Sequence, residues 1–272
     1  FLAEGPNLVE AALARGLALE VFATADAELK HSQLLARANV PVHRITERAA
    51  KALSETVTPP GLVAVCTLPE IGIADLEAPR LVLVVVGLGE PGNAGTMIRT
   101  AHAMGADAVL LAGHAVDPYN GKCLRASAGS IFHLPVVVEP DAVAAVDALR
   151  AAGLTVLATT LEDAVDLADA DLSAPTAWLF GPEAHGLPVD IATMADQRVR
   201  IEMPGRAESL NVAAAAAICL YLAEAFPKAG LLPPAERRAD YFRWTFFAAG
   251  PVDIGGKGLV ADVHGAEGPE DF

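Results

Sequence analysis

The amino-acid sequence predicts an α/β fold, in which a domain with a parallel sheet follows a smaller α/β unit. From residue 80 onward, short apolar runs alternate with helix-like segments, as expected for strands that are joined by crossover helices. The run LVLVVV at residues 81–86 is apolar throughout, which is typical of a strand buried on both faces of a parallel sheet. Before residue 69, helices and strands alternate over shorter distances, and this favours a separate small unit.

The small unit is predicted to contain three strands and three helices. The first helix is amphipathic and is expected to stop at Gly16. Thr46 is the expected N-cap of the third helix, because its hydroxyl can accept a hydrogen bond from a first-turn amide. The predicted strands are residues 19–26, 42–46 and 62–68, and the predicted helices are residues 4–16, 31–40 and 46–56.

The second domain continues the alternation. Its predicted strands are residues 81–86, 107–113, 134–139, 154–160 and 177–181, its predicted helices are residues 93–105 and 141–153, and residues 114–133 are expected to form a loop. A further strand is expected to begin at Ile201, ahead of a long apolar helix for which Ser209 is the predicted N-cap. The chain is therefore divided into a small domain at residues 1–68, a linker at 69–79, a second domain at 80–228 and an aperiodic tail at 229–272.

The composition limits the class of protein. The 272 residues are 53% hydrophobic and 19% charged, which indicates a globular chain with a large core. The longest apolar run, residues 212–222, is shorter than the ~20 residues that a membrane span needs, and no signal peptide is visible. Cys66, Cys123 and Cys219 lie far apart and form no CxxC pattern. We therefore expect a cytoplasmic protein in a reducing compartment, with no metal site.

The charge argues against nonspecific binding to nucleic acids. The net charge is −15, whereas such binding needs a basic surface. An acidic cluster follows the strand predicted at residues 154–160, and its members are Glu162, Asp163, Asp166, Asp169 and Asp171. The small domain carries basic residues that either contact phosphate or form a solvated surface, namely Arg15, Arg37, Arg44, Arg48 and Lys51.

Three glycine-containing turns follow predicted strands. The first, at residues 87–93, spells GxGxxG, which is also the fingerprint of dinucleotide binding. Pro91 and the absence of a ribose-binding acid at Gly113-His114 weigh against that interpretation. The second turn, at residues 180–188, contains Glu183 and His185. The third, at residues 203–211, leads into the long apolar helix, whose first-turn amides suit an electron-rich ligand. Because carboxyl ends of parallel strands meet at one edge of a sheet, we expect the turns to converge on one pocket.

Arg99 is the notable charged side chain of the helix at residues 93–105. It stands among the apolar residues Met97, Ile98 and Ala101. Its guanidinium therefore either extends along its aliphatic stem into solvent or ends at a functional site.

The three turns resemble the signature motifs of a known family. EPGNAGTMIRTAHAMGA, LFGPEAHGLP and IEMPGRAESLNVAAAAAICLYLAEA are similar to those of the SpoU/TrmH-type RNA ribose 2′-O-methyltransferases of the SPOUT superfamily. LRASAGSIFHLPV matches the usual segment between the first two motifs. FLAEGPNLVEAAL and TPPGLVAV resemble the ribosomal-protein-like substrate-binding domain that many members carry. The resemblance covers roughly residues 1–226, and the layout is similar to that of thiostrepton-resistance and related ribosomal-RNA methyltransferases.

The resemblance implies a deep trefoil knot, S-adenosyl-L-methionine as cofactor and a homodimer that acts on RNA, with ribosomal RNA favoured over transfer RNA. The residues that would bind the cofactor are Thr159, Gly181, Ile201, Met203 and Leu210. The residues that would form the catalytic and RNA-binding centre are Asn93, Arg99, Glu183, Ser209 and Asn211. Arg99 would either orient the ribose hydroxyl and its neighbouring phosphate or act directly as the base, and orientation is favoured because a guanidinium does not normally lose a proton in proteins.

The sequence departs from the family pattern at two places. Glu90 stands where members commonly have Asp, and Glu202 and Pro204 alter the usual Ile-Pro-Met order. Basic residues that a dimer would concentrate around one groove are Arg15, Arg37, Arg44, Arg48, Arg99, Lys122, Arg125 and Arg206. Two alternatives to the methyltransferase stay open from the sequence: an RNA-binding assembly protein that has lost catalysis, and a nucleotide-dependent oxidoreductase.

Overall fold

The computed structural model describes residues 1–182, 184–203 and 210–225. Glu183, Ser209 and the predicted tail at residues 229–272 lie outside these ranges. The described residues form a four-stranded sheet followed by a seven-stranded sheet, as expected for a small α/β unit ahead of a larger domain. No helix within these ranges combines the length and the apolar character that a bilayer crossing requires.

The small unit is a mixed sheet with short helices. Its strands are β1 (Leu2–Glu4), β2 (Ala18–Ala23), β3 (Val42–Arg44) and β4 (Leu62–Cys66), and its helices are α1 (Pro6–Ala14), α2 (Ala25–Lys30), α3 (Ser32–Leu35) and α4 (Glu47–Leu53). The strand order is β1-β4-β2-β3, with β2 parallel to β3 and β4 antiparallel to both β1 and β2. Thr46 is the N-cap of α4, as predicted.

Two predicted boundaries in the small unit are wrong. The strand predicted at residues 19–26 is too long, because Thr24 instead caps α2 and its Oγ1 accepts a hydrogen bond from Ala27 N at 3.3 Å. The helix predicted at residues 31–40 is also too long, because α3 ends at Leu35. The first error arises because a side-chain cap starts α2 directly after β2, whereas α3 is a four-residue helix without a side-chain cap.

The second sheet is entirely parallel. Its strands are β5 (Leu81–Val86), β6 (Ala108–Ala112), β7 (Val136–Glu139), β8 (Thr155–Thr159), β9 (Val165–Asp166), β10 (Thr176–Phe180) and β11 (Gln197–Arg200), in the order β7-β6-β5-β10-β8-β11-β9. The helices are α5 (Pro91–Ala103), α6 (Gly121–Ser127), α7 (Ala142–Ala151), α8 (Val189–Met194) and α9 (Val212–Ala225), with 3₁₀ turns at Ile73–Asp75, Ser130–Phe132 and Leu167–Asp169.

Helices cover both faces of the parallel sheet, as its apolar strands predicted. Successive β5 side chains enter different cores: Leu83 and Val85 share one core with α5 and α9, whereas Val84 shares the other with α7 and α8. The first core continues into the small unit, where the Phe1 ring lies 4.7 Å from the Tyr119 ring. The two units are therefore packed together on the α5 side of the sheet.

The segment at residues 114–133, predicted as a loop, contains α6 and a short 3₁₀ turn. Asn120 begins α6, because its side chain accepts a hydrogen bond from Lys122 N at 2.9 Å. The helix packs closely on α5, so that a Cβ added at Gly95 would lie 2.3 Å from the Cys123 carbonyl oxygen. An Asn-Gly pair is typical of a turn, and for that reason this segment was predicted to be a loop and not a helix.

The strand predicted to begin at Ile201 is also misplaced. It corresponds to β11, which ends one residue earlier. The acidic segment that follows β8 contributes the short edge strand β9, which pairs with β11. A strand of two residues has no detectable periodicity, so this element had no signal in the sequence.

The N-cap of α9 differs from the prediction. The helix begins at Val212, and Asn211 Oδ1 accepts a hydrogen bond from Ala213 N at 3.0 Å. The prediction of Ser209 as the cap is therefore wrong. Asn is as effective an N-cap as Ser, and here it stands directly before the first helical residue.

The three cysteines are buried free thiols. Burial raises the pKa of the Cys66 thiol to about 11 and that of Cys123 to about 12. Burial also raises the pKa of Cys219. Because the thiolate is the reactive form, all three are inert packing residues at neutral pH.

Candidate active site

A cavity of about 620 Å³ opens at the carboxyl ends of β8 and β10, beside the start of α9. The carboxyl edge of a parallel sheet is where α/β proteins bind ligands. All five residues predicted to bind the cofactor line this cavity: Thr159, Gly181, Ile201, Met203 and Leu210. The structure therefore brings together residues that are up to about fifty positions apart in the chain.

Thr159 joins two of the strands beneath the cavity. It is the last residue of β8, and its Oγ1 donates a hydrogen bond to the Leu179 carbonyl oxygen of β10 at 2.9 Å. Phe180, the last residue of β10, is buried and contributes to the cavity floor. The floor is otherwise apolar, with Leu187, Ile201, Leu210 and Val212 among its residues.

At Gly181 the backbone lies very close to the backbone of Gly186 and Leu187. A Cβ added there would lie 2.2 Å from the Gly186 carbonyl carbon and 2.3 Å from Leu187 N. The turn is closed by Gly186 N, which donates a hydrogen bond to the Pro182 carbonyl oxygen at 2.8 Å. No side chain fits between these backbone segments, which gives a physical reason for glycine at this position. His185 lies on the same turn and is exposed at the edge of the cavity.

The start of α9 closes another side of the cavity. Leu210, Val212 and Ala215 line it, so the first turn of the helix borders the open volume. The unpaired amides of a helix N-terminus carry partial positive charge, which favours electron-rich ligand atoms. The cavity thus combines an apolar floor with a polar edge.

Charged side chains form one wall of the cavity. Glu162 and Asp163 follow β8, and Arg198 belongs to β11. The Arg198 Nη1 lies 3.8 Å from Asp163 Oδ2. Glu162 and Asp163 belong to the acidic cluster noted in the sequence, and Arg198 was not predicted as a site residue. Their position directly after a strand at the ligand-binding edge was the signal that could have identified them.

Three of the predicted catalytic residues are described by the structure, and they lie outside the cavity wall. Asn93 stands in the first turn of α5, Arg99 is exposed two turns further along, and Asn211 is exposed at the cap of α9. None of these three lines the cavity. Glu183 and Ser209 lie outside the described residues.

The Arg99 side chain is exposed on the surface of α5. Within the described part of the chain, its guanidinium forms neither an ion pair nor a hydrogen bond. By contrast, Lys122 Nζ lies 2.5 Å from Glu90 Oε1, and this hydrogen bond lowers the pKa of the Glu90 carboxyl. Arg99 can therefore contact a substrate without first breaking an ion pair, whereas Lys122 would have to exchange Glu90.

Two further basic residues expected around an RNA groove are paired with carboxylates. Arg44 forms an ion pair with Glu28, and Arg125 Nη1 lies 3.7 Å from Glu4 Oε2. The Arg44 side chain is 70% exposed, so its ion pair is weak and can exchange the carboxylate for a phosphate, whereas the Glu4 partner of Arg125 is only 10% exposed. In the described ranges, no group of three or more His, Cys, Asp or Glu side chains is arranged to hold a metal ion.

The fold and the cavity define a class of protein: an α/β domain with a cavity at the carboxyl edge of a parallel sheet, where such domains bind small molecules, and an accessory mixed-sheet domain before it. Residues 80–221 match the SpoU rRNA Methylase family, and residues 1–64 match the MRM3-like substrate binding domain. The chain belongs to the SpoU rRNA methylase family. This membership confirms the resemblance that the three motifs indicated.

Known relatives extend over most of the chain. The 23S rRNA (guanosine(2553)-2′-O)-methyltransferase RlmP of Bacillus subtilis is 38% identical over 222 residues, which cover 81% of this chain and 87% of the relative. The crystal structure of an AdoMet-bound rRNA methyltransferase from Sinorhizobium meliloti has a TM-score of 0.73 and 32% identity, covering 82% of this chain and 86% of that one. The SpoU methyltransferase AviRb from Streptomyces viridochromogenes, solved with AdoMet, has a TM-score of 0.73 and 31% identity, covering 83% and 89%.

Proposed function

We propose that this chain methylates a ribose 2′-hydroxyl of 23S ribosomal RNA, in the cytoplasm, with S-adenosyl-L-methionine bound in the cavity at the carboxyl edge of the parallel sheet. The chain is an RNA 2′-O-methyltransferase of the SpoU family, and S-adenosylmethionine is its cofactor, as in the solved relatives. The observation that carries the proposed site is the cavity itself, because five separately predicted cofactor residues line it.

The properties of the cavity suit this cofactor. Its volume of about 620 Å³ lies within the usual range for small-molecule sites. The apolar floor, with Phe180 and Leu210, suits an aromatic base, and the first turn of α9 suits electron-rich atoms. The close backbone packing at Gly181 keeps this part of the wall rigid. When bound, S-adenosylmethionine supplies a methyl group on a sulfonium, which is already a strong electrophile.

The task left to the chain is to hold a weakly nucleophilic ribose hydroxyl in line and to ease the loss of its proton. We assign the positioning role to Arg99, whose exposed guanidinium is free to contact the hydroxyl and the adjacent phosphate. Asn93 and Asn211 stand at the N-terminal ends of α5 and α9, which pack on each other. Glu183 and Ser209 complete the proposed set by their place in the motifs.

A homodimer and a trefoil knot are part of the proposal. Arg99 does not line the cavity of its own protomer, which supports an arrangement in which α5 of one protomer faces the cavity of its partner. The insertion of β10 between β5 and β8, with α9 packed back on β5 and β10, supports the knot. The division at residues 1–68, 69–79, 80–228 and 229–272 completes the proposed architecture.

The mass in solution tests the dimer. Light scattering coupled to size-exclusion chromatography is expected to give about twice the chain mass of 28.1 kDa. Mixing protomers that carry Arg99→Ala with protomers that carry a defective cavity is expected to restore part of the activity. A monomer that is fully active would contradict this part of the proposal.

The choice of RNA is tested with tritiated S-adenosylmethionine and separate unmodified substrates. Label is expected in 23S ribosomal RNA, either free or within the large subunit, and not in transfer RNA, because RlmP, which is named for 23S rRNA, matches 81% of the chain, whereas a transfer-RNA methyltransferase of Thermus thermophilus matches 54%. Label in transfer RNA alone would move the assignment to the alternative substrate. Failure to label any of these RNAs, despite tight cofactor binding, would favour a binding protein without catalysis.

A further inference from the structure

One wall of the cavity carries charges of both signs at close range. The charged wall consists of Glu162, Asp163 and Arg198, all of which line the cavity. The side chains of Arg198 and Asp163 retain 38% and 82% of their exposure, so both reach solvent at the mouth. A small apolar ligand would gain nothing from this arrangement, whereas a ligand with a zwitterionic end would match it.

The loop that presents the charged wall has a defined conformation. Thr160 N donates a hydrogen bond to the Val199 carbonyl oxygen of β11 at 3.0 Å, and Thr160 Oγ1 donates one to the Glu162 carbonyl oxygen at 3.0 Å. Asp163 then adopts a left-handed backbone conformation with φ of 46°. This conformation is unfavourable for most side chains but is tolerated better by Asp. Residues held in such conformations concentrate at ligand sites.

The stability of the fold does not account for the charged wall. The Arg198–Asp163 pair is separated by 3.8 Å and is exposed, so it contributes little to folding. The neighbouring arginine of the same strand behaves differently, because Arg200 Nε donates a hydrogen bond to Asp166 Oδ1 at 2.5 Å. Arg198 therefore keeps hydrogen-bonding capacity that Arg200 has committed to Asp166.

We propose that the charged wall binds the α-amino-acid end of S-adenosylmethionine, an inference that rests on the proposed cofactor site. The Arg198 guanidinium binds the carboxylate, for which its planar fork is suited. Asp163 and Glu162 bind the ammonium group. The adenosine part then occupies the apolar floor, so the two ends of one ligand match the two chemically different parts of the cavity.

An RNA phosphate is the competing anion for Arg198. This side chain also lines a second, open groove of about 590 Å³ beside β9 and α8. That groove contains Asp163 and Asp196 as well, and two carboxylates disfavour a polyanion. We therefore favour the zwitterionic ligand over the nucleic acid.

The test is a comparison of two ligands by calorimetry, without turnover. S-adenosylhomocysteine keeps the amino-acid end, whereas 5′-methylthioadenosine lacks it. Arg198→Met is expected to weaken S-adenosylhomocysteine binding about 10- to 100-fold, the range for losing a charge-assisted hydrogen bond, and to leave methylthioadenosine binding unchanged. Arg200→Met, on the same strand but outside the cavity lining, is the matched control and is expected to change neither affinity.

Asp163→Asn gives a second, independent test, because Asn tolerates the left-handed conformation and removes only the charge. It is expected to weaken S-adenosylhomocysteine binding selectively by several-fold. Equal loss of both ligands in Arg198→Met, or unchanged S-adenosylhomocysteine affinity with weakened RNA binding, would overturn this inference alone. If the wild-type protein bound no S-adenosylhomocysteine, the proposed cofactor site would fall first and this inference with it.

Discussion

Arg99→Ala is expected to lower the rate of methyl transfer by about 100-fold or more, while the protein folds and binds S-adenosylhomocysteine normally. The guanidinium is exposed and makes no ion pair or hydrogen bond among the described residues, so its removal leaves no buried group unpaired. A surface substitution of this kind changes the free energy of unfolding by no more than about 0.5 kcal/mol. The loss of rate therefore reports a contact with the substrate and not a defect in folding.

The measurement combines single-turnover methyl transfer with calorimetric binding of S-adenosylhomocysteine. Arg80→Ala is the matched control, because Arg80 is also exposed but precedes β5 at the amino edge of the sheet, away from the cavity. Arg99→Lys is expected to recover only part of the rate, since an ammonium lacks the guanidinium fork. Wild-type rates in Arg99→Ala would remove Arg99 from the proposed mechanism.

Gly181→Ala is expected to abolish cofactor binding and to destabilise the fold by about 3 kcal/mol. The added Cβ would lie 2.2 Å from the Gly186 carbonyl carbon and 2.3 Å from its oxygen. These are backbone atoms, so relief requires the whole turn to move and not only a side-chain rotation. Because the turn forms part of the cavity wall, its displacement changes the shape of the site as well.

Chemical denaturation and S-adenosylhomocysteine binding measure the two effects separately. Gly89→Ala is the control: nothing lies within 4 Å of its Cβ position, and its φ is outside the left-handed range. Its free energy of unfolding is expected to stay the same or to rise by up to about 1 kcal/mol, because alanine reduces the entropy of the unfolded chain. If Gly181→Ala had normal stability and normal affinity for S-adenosylhomocysteine, the backbone segments at this turn would be less closely packed than the structure indicates.

The elements with a strong periodic signal could be predicted from the sequence. The strand at residues 81–86 and the helix after it were identified because six consecutive apolar residues and a long amphipathic segment have few other structural solutions. The helix α6 and the strand β9 could not be predicted, because one begins at an Asn-Gly pair that suits a turn and the other has only two residues. The cap of α9 was displaced because two adequate capping residues precede it.

The residues of the candidate site could also be predicted only in part. The cofactor residues converge because they follow parallel strands, and the ends of such strands meet at one edge of a sheet. Arg198 was missed because a charged residue on a strand looks like part of a solvated surface until its neighbours in space are known. The position of Arg99 outside the cavity was equally hidden, since helical periodicity reveals which face is buried but not which site an exposed face serves.

The chemical identity of the methylated product tests the account most directly. Unmodified 23S ribosomal RNA is incubated with the protein and S-adenosylmethionine that carries a deuterated methyl group, digested to nucleosides and analysed by mass spectrometry. We expect the deuterated methyl group on a ribose 2′-hydroxyl in a single nucleotide context, with the signal lost in Arg99→Ala. Deuterated methyl on a base, or none at all despite bound cofactor, would contradict the assignment of this chain as an active ribose 2′-O-methyltransferase of ribosomal RNA.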